Sequence, residues 1–463
     1  MAITKKKTIP YNFSNKHKKY ISKCTSNMFN FAEGAVRAGK TVDHIYAFAH
    51  ELKNTKDKLH LATGSTGANA KLNIGDCNGF GLEYYFRNQC RWGKYKDNEA
   101  LFIKGPSTKN KLRIVIFAGG GKADSYKKIR GNSYGMWIAT EINLHHDNTI
   151  KEAFNRTIAA DKRKIFWDLN PDNPNATIYK EYIDKYDKKN KEGTLLGGYN
   201  YEHFTIDDNI NIPERRKEEI KSQYDKDSIW YIRDILGIRC IAEGLIYRKF
   251  ANDTGTQKEN SRFYINIPKA NEENINRFRL QEINIGVDFG GNGSGHAFVA
   301  TGITPEYKQL IGLCSERWLE GDNCKDVDPD KLGELFVTFV KRVINTYGYL
   351  GNIDHIYMDS AEQVLIRGLK TALEKAGIYV TVRNARKNEI NDRIKCTTLL
   401  MAQGRFFITK ECETLKDAFN TAVYNPKEVT KDERLDDGTS DIDSLDAFEY
   451  SFEKDMKRLI DAA

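Results

Sequence analysis

The sequence of 463 residues predicts an α/β protein with two domains, the first built on a mostly parallel sheet and the second on a mixed sheet. Up to about residue 250, short apolar runs such as KLRIVIFAGGG alternate with helical patterns, which is typical of a parallel sheet. Beyond residue 280, the runs INIGVDFG, HAFVATGIT and KQLIGLCSERW lie close together with turn residues between them, as antiparallel strands would. The stretch 252–280 is polar and weakly periodic, so it marks the junction between the domains.

Charge and apolar content argue against a membrane-spanning or secreted protein. The chain has a formal net charge of +8 and no apolar run near twenty residues, so no segment is expected to span a bilayer. The first residues, MAITKKKTIPYNF, have no apolar stretch behind the lysines to form a secretory signal, and the cysteines include no C-x-x-C pair. We expect a soluble intracellular protein, and its basic charge favours a polyanionic partner.

Residues 34–41 read GAVRAGKT, which fits the phosphate-loop pattern G-x-x-x-x-G-K-T at every fixed position. An apolar run precedes the loop and an amphipathic helical pattern follows it. Gly34 and Gly39 allow the backbone N–H groups to surround the β-phosphate, while Lys40 reaches the β and γ oxygens and Thr41 can ligate Mg²⁺. The pattern predicts an ATP site in an N-terminal P-loop ATPase domain.

ATP hydrolysis also needs a carboxylate that polarises water at the end of an apolar strand. The run YGMWIATEINLH supplies Glu141 as this base, but Thr140 occupies the position where an aspartate on the magnesium side is expected. Metal binding then depends more heavily on Thr41 and on water, and ATP turnover could be slow. The alternative interpretation of Glu141 is a solvated acid at a strand end.

Two arginines and an asparagine are further candidates for contact with the phosphates. Arg37 lies inside the loop and Arg130 lies in KIRGNSYG, and either could act as an arginine finger on the γ-phosphate. A salt bridge at the sheet edge explains Arg130 nearly as well. Asn170, in WDLNPDNP, ends the next apolar strand and could sense the γ-phosphate, although Asn-Pro also starts simple turns.

The second half contains carboxylates that apolar neighbours would bury. Asp288 in INIGVDFGG and Asp359 in HIYMDSAE lie at strand ends, whereas Asp443 and Asp446 are three residues apart and share one helix face. Clustered acids without histidine or cysteine suit Mg²⁺ or Mn²⁺, and two such ions can assist phosphodiester cleavage. The order strand, strand, helix predicts a C-terminal ribonuclease-H-like nuclease domain. Each acid taken alone would more often be a surface or capping residue.

Six of these motifs occur in an order that resembles the large terminase subunit of tailed bacteriophages: GAVRAGKT, GMWIATE, LNP, VDFG, MDSA and DSLDAFEY. The resemblance extends from about residue 11 to 452. It includes NFSNKHKKYI, which resembles the adenine-side motif of the family with His17 in place of a glutamine. It also includes LGIRCIAEGLIYRKF, which resembles the link between motor and nuclease.

The resemblance implies an ATP-driven motor that moves double-stranded DNA into a procapsid, and a nuclease that cuts concatemeric DNA. It also implies a homo-oligomeric ring on the portal protein, a small terminase subunit as partner, and action in the host cell cytoplasm without incorporation into the mature virion. Asp443 occupies a place where the family often has histidine. The implied site residues are Lys40 and Thr41 for phosphate and Mg²⁺, Glu141 as base and Asn170 for coupling. Asp288, Asp359 and Asp446 are implied to bind two nuclease ions, Mg²⁺ or Mn²⁺.

The predicted domains are an ATPase motor over residues 1–255, with a helical linker or lid region near 213–250, and a nuclease over 276–463. Two other functions remain open. A helicase with an attached nuclease would share both sites, although no helicase motif is evident between Asn170 and the linker. A DNA-binding scaffold with a degenerate ATP site is the other, and Thr140 is its best support.

Overall fold

The structure is a computed structural model that describes residues 11–256, 261–270, 278–290, 294–319, 327–428 and 430–462. The chain forms two compact units, one ending at Lys221 but including Ile229–Ile241, and a second made of Ser222–Ser228 and the chain from Ala242 onward. Residues 242–255 therefore cluster with the second unit. The functional boundaries 1–255 and 276–463 stay a prediction.

The first unit is built on one sheet of eight strands in the order β3-β4-β5-β2-β6-β7-β1-β8. The six strands from β5 to β8 in this order pair in parallel, whereas β4 pairs antiparallel with both β3 and β5 near one edge. The sheet confirms the predicted mostly parallel arrangement. The strands are β1 Phe29–Gly34, β2 Leu59–Gly64, β3 Cys90–Tyr95, β4 Asn98–Ile103, β5 Arg113–Gly119, β6 Met136–Ala139, β7 Lys164–Leu169 and β8 Tyr199–Phe204.

The central strands β1, β6 and β7 are buried along their whole length, as expected for a parallel sheet that helices cover. This burial explains why these strands are rich in apolar residues. Phe31 and Trp167 stack at 4.7 Å between ring centroids, and Trp137 meets Trp167 edge to face at 5.2 Å. The helices of this part of the chain are α1 Asn15–Cys24, α2 Lys40–Asn54, α3 Gly67–Ala70, α4 Leu82–Tyr85, α5 Asp147–Arg156, α6 Asp184–Lys191 and α7 Glu214–Ser222, with π-helical turns at Lys71–Asp76, Ile178–Ile183 and Tyr231–Ile235.

The second unit is built on a six-stranded mixed sheet in the order β13-β12-β9-β10-β11-β14. Its first three strands pair antiparallel, and the later strands join in parallel, as predicted. The strands are β9 Glu282–Asp288, β10 His296–Ile303, β11 Leu310–Trp318, β12 Ile353–Met358, β13 Thr381–Asn384 and β14 Phe406–Ile408. The helices are α8 Arg248–Thr256, α9 Pro329–Tyr347, α10 Gln363–Lys375, α11 Ile390–Ala402, α12 Glu413–Thr421, α13 Ile442–Phe452 and α14 Met456–Asp461.

A glycine lets α13 approach β9 closely. A Cβ atom on Gly286 would lie 1.7 Å from the carbonyl oxygen of Ala447 and 3.0 Å from the nitrogen of Ser451, both backbone atoms of α13. Only glycine therefore fits this contact. Since Asp288 ends β9 and α13 carries two of the predicted acids, the contact sets the position of one predicted site.

Other expectations from the sequence concern the whole chain. The described cysteines are all free, and four of them are buried. Across the described ranges, the search for a helix with the length and apolarity to cross a bilayer found none.

Candidate functional site

The loop between β1 and α2 depends on two glycines with positive φ. Gly34 has φ 147°, and a Cβ there would lie 1.8 Å from the carbonyl oxygen of Phe204 in the neighbouring strand. Gly39 has φ 99° and directly precedes α2, where a Cβ would lie 2.4 Å from the hydroxyl of Tyr11. These positions explain why the fixed glycines of the predicted phosphate loop are needed.

Lys40 begins α2, and its side chain is buried within the loop. Its Nζ donates hydrogen bonds to the carbonyl oxygens of Gly34 and Ala35 at 2.8 and 2.6 Å, and to Asn170 Oδ1 at 3.1 Å. Burial lowers the pKa of Lys40 to about 8, and the carboxylate of Asp168 is the main group that opposes this shift. The structure therefore brings together Lys40 and Asn170, which the sequence placed 130 residues apart.

Thr140 and Glu141 follow β6 at the same edge of the sheet. Asp168, near the end of the adjacent β7, accepts hydrogen bonds from the Thr140 hydroxyl at 3.2 Å and from the Glu141 amide at 3.0 Å. Burial raises the pKa of Asp168, while the Glu141 amide, Lys40 and the Thr41 hydroxyl oppose this shift. Asp168 therefore interacts with the backbone of Glu141, the predicted base, and with the hydroxyl of Thr41, the predicted metal ligand.

The two arginine candidates differ in their surroundings. Arg37 is exposed in the loop with φ 60°, and its carbonyl oxygen accepts a hydrogen bond from Asn209 at 2.8 Å. Arg130 pairs with Glu152 of α5 at 3.4 Å and lies over the ring of Tyr126, with its side chain 56% exposed. The Arg130 contacts match the salt-bridge interpretation, and the role of either arginine as a finger stays a prediction.

His17 of α1 is buried beside the loop. Its Nδ1 contacts the Asp43 carboxylate of α2, and its ring stacks on Phe204 at 4.4 Å between centroids. Burial raises the pKa of Asp43 to about 6 although the hydrogen bond to His17 lowers it. A Cβ on Gly39 would lie 3.3 Å from His17 Cε1, so the ring lies against the loop. Its adenine-side role stays a prediction.

In the second unit the four predicted acids converge on one place. Asp288 ends β9, Asp359 follows β12, and α13 carries Asp443 and Asp446. The amide of Asp359 donates to the Val287 carbonyl oxygen at 3.2 Å, which joins the two strand ends. Burial raises the pKa of Asp288 to about 9, and the carboxylates of Asp446, Asp443 and Asp359 add to the shift in that order.

Basic side chains already contact three of these acids. Asp359 pairs with Lys387, Asp443 with Arg317 at 2.7 Å, and Asp446 with Arg434 at 2.5 Å and Arg393 at 3.3 Å. In the described part of the chain, no group of three or more histidines, cysteines or acids has the arrangement of a metal site. The oxygen-only donors nevertheless fit Mg²⁺ or Mn²⁺, because a divalent cation would relieve the repulsion that raises the pKa of Asp288.

Comparison with known proteins gives one family-model match. Residues 32–251 match the family model described as "Terminase large subunit, T4likevirus-type, N-terminal". This stretch is just under half of the chain, so the match relates the first part of the chain to large terminases. No curated protein gives a significant match.

A solved large terminase has the same fold as this chain. The large terminase of a thermophilic bacteriophage has a TM-score of 0.74 at 19% identity, over 95% of this chain and 98% of that one. Structures of the same phage protein in complex with ADP and with ATP-γ-S give TM-scores of 0.73 and 0.72 at the same identity and coverage. The predicted fold class, an α/β protein with a mostly parallel sheet followed by a mixed sheet, is thereby confirmed.

The chain also contains candidate residues that sequence reasoning missed. Glu33, the last residue before the loop, is 1% exposed and accepts hydrogen bonds from Arg239 at 2.6 to 3.0 Å and from two tyrosines. Asp168 is an acid inside an otherwise apolar run, two residues before Asn170. That interruption of the apolar pattern was the available signal for Asp168, whereas nothing local identified Arg239 as the partner of Glu33.

Proposed function

We propose that the chain hydrolyses ATP in its first unit to drive double-stranded DNA into a procapsid, and that it cuts concatemeric DNA in its second unit with divalent metal ions. The observation that carries this proposal is the presence of two separate charged sites, one in each unit, in a chain whose residues 32–251 match a large terminase family model. A lysine on a glycine loop suits a nucleotide, and a cluster of acids suits metal ions.

For the ATP site we propose that Gly34 and Gly39 admit the phosphates, Lys40 pairs with them and Thr41 ligates Mg²⁺. Glu141 would orient the attacking water, and Asn170 would link the site to β7 through its contact with Lys40. Support comes from the loop geometry and from the terminase of the thermophilic phage, whose structures are described as complexes with ADP and ATP-γ-S. Arg37 or Arg130 would supply the finger, and His17 would lie on the adenine side.

For the nuclease site we propose that Asp288, Asp359 and Asp446 hold two Mg²⁺ or Mn²⁺ ions. Asp443 would be a ligand or a helper. Burial and the neighbouring carboxylates raise the pKa of Asp288, and this supports the proposal because a nearby cation would stabilise the ionised form against both effects. The ions would stabilise the attacking and leaving oxygens of the phosphodiester.

The proposal includes partners and a place of action. A portal protein and a small terminase subunit are the expected protein partners, with a homo-oligomeric ring on the portal and assembly in the host cell cytoplasm. The net charge of +8 supports a polyanionic partner such as DNA. The proposed functional domains are residues 1–255 and 276–463.

Hydrolysis of ATP by the full chain, with and without DNA, tests the first site. We expect DNA-stimulated phosphate release in the parent and its loss in Lys40→Ala and in Glu141→Gln. Lys56→Ala is the matched control, because Lys56 is 80% exposed and pairs only with Asp161 among the described residues. Near-normal turnover in Lys40→Ala would refute the ATP site. Absence of turnover in the parent would favour the scaffold alternative, which Thr140 supports.

Plasmid cleavage with Mg²⁺ and with Mn²⁺ tests the second site. We expect Asp288→Asn to lose cleavage by orders of magnitude, whereas Asp417→Asn, on an exposed face of α12, should cut like the parent. Equal cleavage by Asp288→Asn would make the acids structural. Unwinding of a duplex with a single-stranded tail would instead support the helicase-nuclease alternative.

A further inference from the structure

The ATP site contains a carboxylate that no sequence motif assigns. Asp168 lies near the end of β7 and is 3% exposed. Its Oδ1 accepts hydrogen bonds from Thr140 and from the amide of Glu141, and the Thr41 hydroxyl is close enough to favour its charged form. Its Oδ2 is buried and has no hydrogen-bond partner within the described ranges. Burial of a carboxylate oxygen without a hydrogen-bond partner costs free energy, so a cation bound at Oδ2 would be stabilising.

The strand order explains how this carboxylate reaches the loop. β7 lies between β6, which leads to Thr140, and β1, which leads to the phosphate loop. Asp168 is aligned with Ala32 of β1, and its neighbour Trp167 is aligned with Ala139 of β6. The carboxylate is therefore adjacent to both strand ends. It lies beside the position where the sequence led us to expect an aspartate and where Thr140 stands.

The hydrogen bonds around Asp168 orient its side chain. Thr140 and the amide of Glu141 both donate to Oδ1, which fixes the carboxyl group and leaves Oδ2 for another partner. Thr140 thus has the chemistry of an orienting residue, since a hydroxyl can donate to a neighbouring acid whereas an ionised aspartate could not. An aspartate at both positions would place two like charges side by side.

We propose that Asp168 is the magnesium-side carboxylate of the ATP site, oriented by Thr140 and acting with the hydroxyl of Thr41. The inference rests on the proposed ATPase function. Oxygen donors and few protein ligands suit Mg²⁺, which usually keeps several waters and binds through one or two carboxylates and the nucleotide phosphates. The metal would neutralise phosphate charge, and Glu141 would act on water.

The test is the effect of Mg²⁺ on nucleotide affinity, which does not require turnover. A fluorescent ATP analogue is titrated into the full chain with Mg²⁺ and with EDTA. We expect Asp168→Asn to bind the metal-free analogue within about threefold of the parent but to lose about tenfold or more of the tightening by Mg²⁺. Asp161→Asn is the matched control, because Asp161 is half exposed and pairs with Lys56. Full Mg²⁺ tightening in Asp168→Asn would overturn the proposal.

An exchange of the two residues distinguishes a metal role from a structural one. Thr140→Asp combined with Asp168→Thr moves the carboxylate to the adjacent strand end, and we expect it to recover part of the Mg²⁺ effect that Asp168→Thr alone lacks. If Asp168→Asn does not fold, this exchange decides, and a folded double variant without any Mg²⁺ effect would refute the inference. A parent chain that binds no nucleotide would refute the proposed ATPase function as well, so the two failures are distinguishable.

Discussion

The contact between β9 and α13 makes a sharp prediction about Gly286. In Gly286→Ala the new Cβ would lie 1.7 Å from the Ala447 carbonyl oxygen and 2.8 Å from its carbonyl carbon. Ordinary separations are about 3.5 Å, so the helix and the strand must move apart by more than ~1 Å. Because both partners are backbone, no side-chain rotation relieves the clash.

The expected cost lies at or above the upper end for overpacked cores, about 3 kcal/mol. In a unit of this size each kcal/mol shifts the Tm by roughly 2–4 °C, so we expect a fall of roughly 6–12 °C. Gly368→Ala is the matched control. Gly368 is exposed in α10. Among the described residues, and apart from the backbone of α10 itself, no atom lies within 4 Å of the place that an alanine Cβ would occupy, so the alanine should stabilise the helix by about 1 kcal/mol.

Scanning calorimetry of the full chain measures both shifts, and hydrogen exchange of peptides from β9 and α13 shows which element loosens. Under the proposed nuclease function, Gly286→Ala should also lose cleavage, because Asp288 and Asp446 lie on the two elements that separate. A Tm within about 1 °C of the parent, together with unchanged exchange in β9 and α13, would contradict the close packing.

Three further predictions follow from buried charges. Burial lowers the pKa of Lys40 to about 8, so Lys40 loses its charge as the pH rises above 8. Affinity for a fluorescent ATP analogue should therefore be constant below pH 8 and fall by up to about tenfold per pH unit above it. Lys40→Arg, which stays charged, should give a flat pH profile. Arg239→Met should destabilise the first unit by about 3 kcal/mol in urea unfolding, because it leaves the buried Glu33 without its cation. The control is Asp184→Asn, which removes the exposed partner of the same arginine and should cost under about 1 kcal/mol. Asp288→Asn should keep parental ATP hydrolysis in a phosphate-release assay, and a parallel loss of ATPase would contradict independent sites.

Much of the fold followed from local patterns in the sequence. Continuous apolar runs predicted the buried parallel strands, and closely spaced runs predicted the antiparallel β9, β10 and β11. The convergence of Asp288 and Asp359 was predicted from the order of the acids along the chain. The structure gives its cause, because β9 and β12 are parallel neighbours and their carboxyl ends meet at one edge.

The partners of the predicted site residues were not predictable. Arg434 and Arg393 reach Asp446 from positions 12 and 53 residues away, and Arg239 reaches Glu33 across 206 residues. No periodic or turn signal specifies such pairs, because they depend on the packing of whole elements. The same limit applied to Asp168, whose role depends on which strand lies beside β6.

The two sites share one physical feature, since each holds buried charge that its own protein partners only partly balance. Lys40 already donates to three oxygen acceptors, two backbone carbonyls and the side chain of Asn170. A phosphate would have to bind Lys40 more strongly than these neutral acceptors do, and the negative charge of the phosphate makes its hydrogen bonds stronger. If a nucleotide phosphate binds Lys40 as proposed, the hydrogen bond from Lys40 to Asn170 at the end of β7 would change. The same strand end carries Asp168. Nucleotide charge would therefore act on β7 at two neighbouring residues, which makes this strand end the natural place for hydrolysis to alter the structure.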